Sequence, residues 1–168
     1  MSLRRKSREY ALQMLFQWEV GRQEPSRIEA GFWKSARAQK STKAFANQLF
    51  ESAAGRAEEM DAIIRAHAEN WRVERMSAID RAILRLAVAE LRTTGTPANV
   101  VLDEAIELAK KFSSEESAPF VNGILDAVVK SAREIGGVNR ARSEEIHQGK
   151  SVRSRGGESK RRACPQTP

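Results

Sequence analysis

Apolar residues recur along this chain at steps of three and four, a period that predicts helices. Leu3, Ser7, Tyr10/Ala11, Met14/Leu15 and Trp18 form one stripe along a first helix over about 3–20, closed by Gly21 and Pro25. The stretch 26–56 carries a weaker pattern. Ile28, Phe32, Trp33 and Ala36 suggest a short helix, and Phe45, Leu49, Phe50 and Ala53 another that ends near Gly55. Met60, Ile63, Ile64, His67 and Trp71 make the next stripe.

The clearest helix runs from Ser77 to about Arg92. Ser77 and Asp80 resemble a capping box, with Asp in place of the usual Glu or Gln. Ile79, Ile83, Leu86 and Glu90 occupy one face and Leu84, Val88 and Leu91 the next, so this helix should be the most buried. Thr93–Pro97 is a stop and a start, with Pro97 suited to a first helical turn. Val101, Ala105, Leu108, Ala109 and Phe112 carry the next helix to Ser113. After a polar loop, Phe120 or Val121, Ile124, Leu125, Val128 and Ala132 define a last helix that should stop at Gly136-Gly137.

No segment alternates apolar and polar residues with β-branched enrichment, so no sheet is expected. The expected fold is all-α, a single compact bundle of about seven helices over 1–138. The rest of the chain, 139–168, is basic and rich in Ser, Arg and Gly. It has too little apolar surface to offset its ordering entropy and should be disordered in isolation.

Charge sharpens this division. The 168 residues hold 29 Lys and Arg against 22 Asp and Glu, a net charge of +7. Residues 1–8 contribute Arg4, Arg5, Lys6 and Arg8, and 139–168 contribute eight basic and three acidic residues. The body between holds 17 basic and 19 acidic residues. The basicity that suggests a polyanionic partner therefore lies at the two ends.

Several chemistries drop out. The single cysteine, Cys164, gives no disulfide framework or thiolate cluster. His67 and His147 are eighty residues apart with no metal-ligand spacing around them, so no metal site or cofactor is expected. No apolar run approaches the about 20 residues that span a bilayer, and no secretory signal follows the basic start. A soluble, cytoplasmic protein without membrane association is expected. Asp103, Glu104 and Glu107 could form a carboxylate cluster, but Lys110 and Lys111 follow at helical spacing, and an exposed salt-bridged face explains the same letters. His67 falls on an apolar face, as a core or boundary histidine would. No phosphate loop, dinucleotide fingerprint or nucleophile elbow is present, and the expected protein is not an enzyme.

Two places are more informative. Arg4, Arg5, Lys6 and Arg8 open an amphipathic helix, where cations oppose the helix macrodipole by a few tenths of a kcal/mol each. A phosphate backbone would account for them, and a merely solubilising basic end is the competing reading. Four phosphate contacts predict a slope of log K against log salt of about −3. Around Glu116-Ser117-Ala118-Pro119-Phe120-Val121-Asn122-Gly123, a helix start presents N–H groups to an anion. Here Phe120 could stack on an unpaired base and Asn122 could read a base edge. The same letters also read as packing, with Phe120 in the core and Gly123 permitting close helix approach.

These blocks carry a resemblance. Ile79-Asp80-Arg81-Ala82-Ile83-Leu84-Arg85 with Glu90-Leu91, Pro97, Asp103 to Phe112, and Phe120-Val121-Asn122-Gly123-Ile124-Leu125-Asp126 resemble the NusB family in order and spacing. The opening Arg-x-x-x-x-Tyr-Ala-Leu-Gln-Met-Leu-Phe-Gln-Trp, from Arg5 to Trp18, is similar to that family's first helix. The resemblance is strong over 76–130, fair over 4–20 and weak over 22–70. Ala89 stands where the family usually has Tyr, and Leu102-Asp103 replaces a common Ile-Asn.

The resemblance implies an all-helical transcription antitermination factor that pairs with the ribosomal protein NusE. The pair would bind single-stranded boxA RNA, chiefly in ribosomal RNA leaders, within the transcription elongation complex. It implies RNA contacts at Arg4, Arg5, Lys6, Arg8 and Phe16, and at Glu116, Ser117, Phe120 and Asn122. It implies NusE contacts at Glu74 and Asp80. A related module serves as the RNA-binding part of rRNA cytosine methyltransferases, which makes an accessory role the alternative. A homodimeric protein-interaction module without an RNA role is another. A homodimer burying the basic helix and a monomer exposing it both stay open.

Overall fold

The computed structural model describes the backbone of residues 2–69 and 72–151, and side chains as far as residue 135. Among the described residues seven α-helices follow one another: α1 (Leu3–Gly21), α2 (Pro25–Ser35), α3 (Lys40–Gly55), α4 (Ala57–His67), α5 (Ala78–Thr93), α6 (Ala98–Phe112) and α7 (Ser117–Ser151). A 3-10 turn, Val73–Arg75, lies between α4 and α5. No strand occurs among the described residues. Met1–Lys130 forms one compact unit, and the described residues from Ser131 onward belong to a second.

Helix α5 is the centre of the first unit, as its wide apolar surface predicts. Every residue from Ala82 to Glu90 is buried. Around it α1, α3, α4 and α6 contribute Leu12, Leu15, Leu49, Phe50, Ile64 and Leu108 to one continuous core, and α7 adds Val121 and Leu125. Each such side chain, fully buried, contributes about 1.5–3 kcal/mol. Ser7, within the α1 stripe, is buried too and donates to the Thr42 carbonyl at 3.0 Å.

The weakly patterned stretch 26–56 is held by aromatic contacts. Tyr10, Phe32 and Trp33 pack edge to face, with centroids 5.0–5.6 Å apart, and fix α2 against α1. Trp33 donates to Asn47 on α3 at 2.8 Å, and Asn47 donates in turn to Glu29 at 3.0 Å.

Helix ends differ from expectation in three places. α1 closes on Arg22, which is left-handed (φ 50°), while Gly21 stays helical. Pro97 sits at the N-cap of α6 rather than inside its first turn. α7 continues through Gly136-Gly137 to Ser151. Glycine in a helix interior is unfavourable by about 1 kcal/mol relative to Ala, which weakens a helix without forbidding it. Trp71 and the end of the basic tail, 152–168, lie outside the described residues.

Candidate nucleic-acid interface

The start of α1 is capped by Ser2, whose hydroxyl accepts from the Arg5 backbone N–H at 3.2 Å. The four sequence-predicted cations then diverge. Arg4 is exposed, and its guanidinium lies over the ring of buried Phe45, 3.9 Å from the centroid. Arg5 makes a bidentate pair with Glu104 on α6 (3.0 and 2.9 Å), which raises its pKa, chiefly through that hydrogen bond and secondly through the opposite charge. Lys6 lies 3.4 Å from Glu9 and over the Tyr10 ring.

Arg8 is different. It is 4% exposed and donates to both oxygens of buried Glu90 on α5, at 2.9 and 2.6 Å. It faces the core and ties α1 to α5, so its expected role as a phosphate ligand gives way to a structural one. The physical reason is position along the helix: Arg4 and Arg8 share a face, but Arg8 lies one turn from buried Ala11 and Leu12, whereas Arg4 stands in the first turn, before the buried residues begin.

The other end of α1 carries the same pairing with the signs reversed. Buried Glu19 accepts from Arg81 at 2.5 Å and from Arg85, and Arg85 also makes a bidentate pair with Asp61 of α4 at 2.6 Å. Burial opposes the charge on Glu19, but hydrogen bonds from Arg85 and Arg81 outweigh it and hold the carboxyl below 4.5. Burial likewise opposes the charge on Arg85, and its bonds to Asp61 and Glu19 raise its pKa instead. The pairings Arg8–Glu90 and Glu19–Arg81 make α1 and α5 antiparallel, joined at points about 16 Å apart along α1. The exposed cations therefore project from a helix fixed at both ends.

At the start of α7, two predicted sites of different kinds meet. Asp80 accepts from Ser113 (2.7 Å) and from buried Ser117 (3.1 Å), and Ser117 also contacts the Ser113 and Ser114 hydroxyls at 2.9 Å. Ser77 does cap α5, accepting from the Asp80 N–H at 3.1 Å, but the Asp80 carboxylate turns to α7 rather than back across a full capping box. Glu116 and Asn122 are exposed close by. Phe120 is half-buried against the core and borders a cleft of about 550 Å³ with His67 and Ile124. His67 lies 2.8 Å from the Ile63 carbonyl, as a boundary histidine would.

The remaining predicted residues stand apart. Glu74 is exposed and paired with Arg65 at 3.0 Å. Its own backbone N–H first, and then Arg65, hold its carboxyl below 4.5. Phe16 is 39% exposed, about 18 Å along α1 from Arg4, beside Val20 and Ile28. The α6 carboxylates are not a cluster: Glu104 faces Arg5 and Arg8, while Glu107 pairs with Lys110 at 3.0 Å. Lys111 reaches Glu9 of α1 at 2.6 Å, a contact across 102 positions that helical spacing within α6 does not reveal. Among the described residues no group of three or more His, Cys, Asp or Glu could hold a metal. No helix among them is long and apolar enough to cross a membrane.

Fold and site together define an all-helical binding module that displays charge from a rigid first helix. Residues 5–130 match the NusB family. The transcription antitermination protein NusB of Koribacter versatilis is 49% identical over 129 residues, covering 76% of this chain and 88% of that protein. NusB of T. maritima superposes with a TM-score of 0.68 at 34% identity, over 76% of this chain and 90% of its own. A crystal structure of the antitermination factors NusB and NusE in complex with double-stranded RNA contains a chain that matches with a TM-score of 0.71. That chain is 28% identical, over 78% of this chain and 98% of its own. The chain belongs to the NusB family, and its relative in Koribacter versatilis is a transcription antitermination protein.

Proposed function

We propose that this protein is a cytoplasmic antitermination factor that, with NusE, binds single-stranded boxA RNA in nascent transcripts, chiefly ribosomal RNA, within the elongation complex. The observation that carries the reading is the display of Arg4, Arg5 and Lys6 from a helix fixed to α5 at both ends. Cations held in register meet phosphates without first losing helix and tether entropy. Membership of the family and the likeness to a chain found with NusE and RNA support it.

In this mechanism the α1 cations bind phosphates without regard to sequence. Phe120 stacks on an unpaired base, and Asn122 and Glu116 contact base edges or sugar nearby. NusE docks beside Glu74 and Asp80. Because Asp80 holds Ser117, seating NusE there also orders the start of α7.

The test is RNA affinity measured by fluorescence anisotropy over a range of salt, with and without NusE. With Arg8 turned inward, Arg4, Arg5 and Lys6 contribute about −2 to the slope. Phe120→Ala should lower the preference for boxA over a scrambled RNA. A slope of zero, with no gain from NusE, would end this reading.

A further inference from the structure

Glu9 is a buried carboxylate, 3% exposed, on the side of α1 that meets α6. It accepts from two ammonium groups, Lys111 at 2.6 Å and Lys6 at 3.4 Å. One negative charge thus faces two positive ones. An ammonium has three donors, and Glu9 engages one on each lysine, so donors remain for a second acceptor. Both lysine side chains are well exposed, 48% and 40%. The neighbouring Lys110 differs, being matched one to one by Glu107 on its own helix.

From this we infer that Lys111 is a further phosphate-binding residue, positioned by Glu9 beside Lys6 so that the two ammoniums meet neighbouring phosphates of one RNA strand. The inference rests on the RNA-binding reading above. The two lysines supply more charge than buried Glu9 neutralises. The excess is turned outward, at a place where α1 and α6 meet.

The location matters as much as the charge. Lys111 is two residues before Ser113, which joins Ser117 and Asp80 at the start of α7. Lys6, on its other side, belongs to the α1 cations. Lys111 therefore joins two surfaces that the sequence separates by more than a hundred residues. A single-stranded backbone leaving the α1 cations passes over Lys111 before its bases reach Phe120.

The experiment measures boxA RNA affinity of the full-length protein against salt. Lys111→Gln should make the slope shallower by about 0.7, with the preference for boxA over scrambled RNA unchanged. Lys111→Arg should keep the slope, and so should Lys110→Gln. Removing the Glu9 partner could loosen α1, so Lys111→Gln is paired with the double variant Glu9→Gln/Lys111→Gln, which leaves no buried charge behind. The double variant should show the same loss of slope. If the wild-type protein binds with a steep slope and both Lys111→Gln variants match it, Lys111 is only a counter-ion for Glu9 and the inference is wrong. If the wild-type protein shows no salt-dependent RNA binding, the RNA-binding reading itself fails.

Discussion

Arg4 and Arg8 are the same residue type one helical turn apart, and the structure gives them opposite work. Arg4 rests on Phe45 at the surface, while Arg8 is inside a pair with Glu90. Arg8→Ala should destabilise the protein by about 3–5 kcal/mol, because it leaves Glu90 buried and unpaired. Urea unfolding measures this. Arg4→Ala should unfold at the wild-type urea concentration and bind every RNA more weakly. A stable Arg8→Ala protein with weakened RNA binding would instead restore Arg8 to the phosphate surface. The sequence shows four cations in eight residues. It does not show which of them meets a carboxylate 82 positions away.

Among the elements, the junction of α5 and α7 would couple the two proposed binding roles. Asp80→Ala removes the acceptor that Ser113 and Ser117 share, at about 1–3 kcal/mol. It should weaken NusE binding and RNA binding together in a pull-down and an anisotropy titration, whereas Glu74→Ala should affect only NusE. Equal RNA affinity for the Asp80→Ala and wild-type proteins would separate the two roles.

The α2–α3 contact carries a pH dependence of its own. Burial, then a hydrogen bond shared with Glu51, then the repulsion between the two carboxylates push Glu29 from 4.5 to about 7. The folded state therefore holds a proton that the unfolded chain releases above pH 4.5. The stability contributed by this contact is complete below pH 4.5 and is lost as pH rises through about 7. Urea midpoints at pH 5 and pH 8 should show that decline, and Glu51→Gln should shrink it by removing the like charge. The pattern over 26–56 gave no hint of this pair, because Glu29 and Glu51 lie on two separate helices, α2 and α3.

At the scale of the molecule, the net charge of +7 resolves into unequal parts. The α1 cations project from a fixed helix, and the basic run 139–168 follows the compact unit. A chain ending at residue 138 should keep its preference for boxA over scrambled RNA while losing affinity for both alike. Competition binding with the two RNAs measures this. A truncation that lost the preference would give the tail a part in sequence reading.

Helix period, the central place of α5 and the all-α class were legible because side-chain phase along one helix depends only on local sequence. Phe120 and Asn122 could be named as candidates because both lie in one short segment that matches a family block. Glu9–Lys111, Arg8–Glu90, Glu19–Arg85 and Asp80–Ser117 each join residues from helices far apart in the chain. No local period encodes such a contact. The sequence by itself determined that the chain forms helices around α5 and carries cations at the start of α1. The tertiary structure alone decided which cations became internal struts and which face solvent. Packing sets the phase between helices, and burial makes a charge stay where it finds a partner.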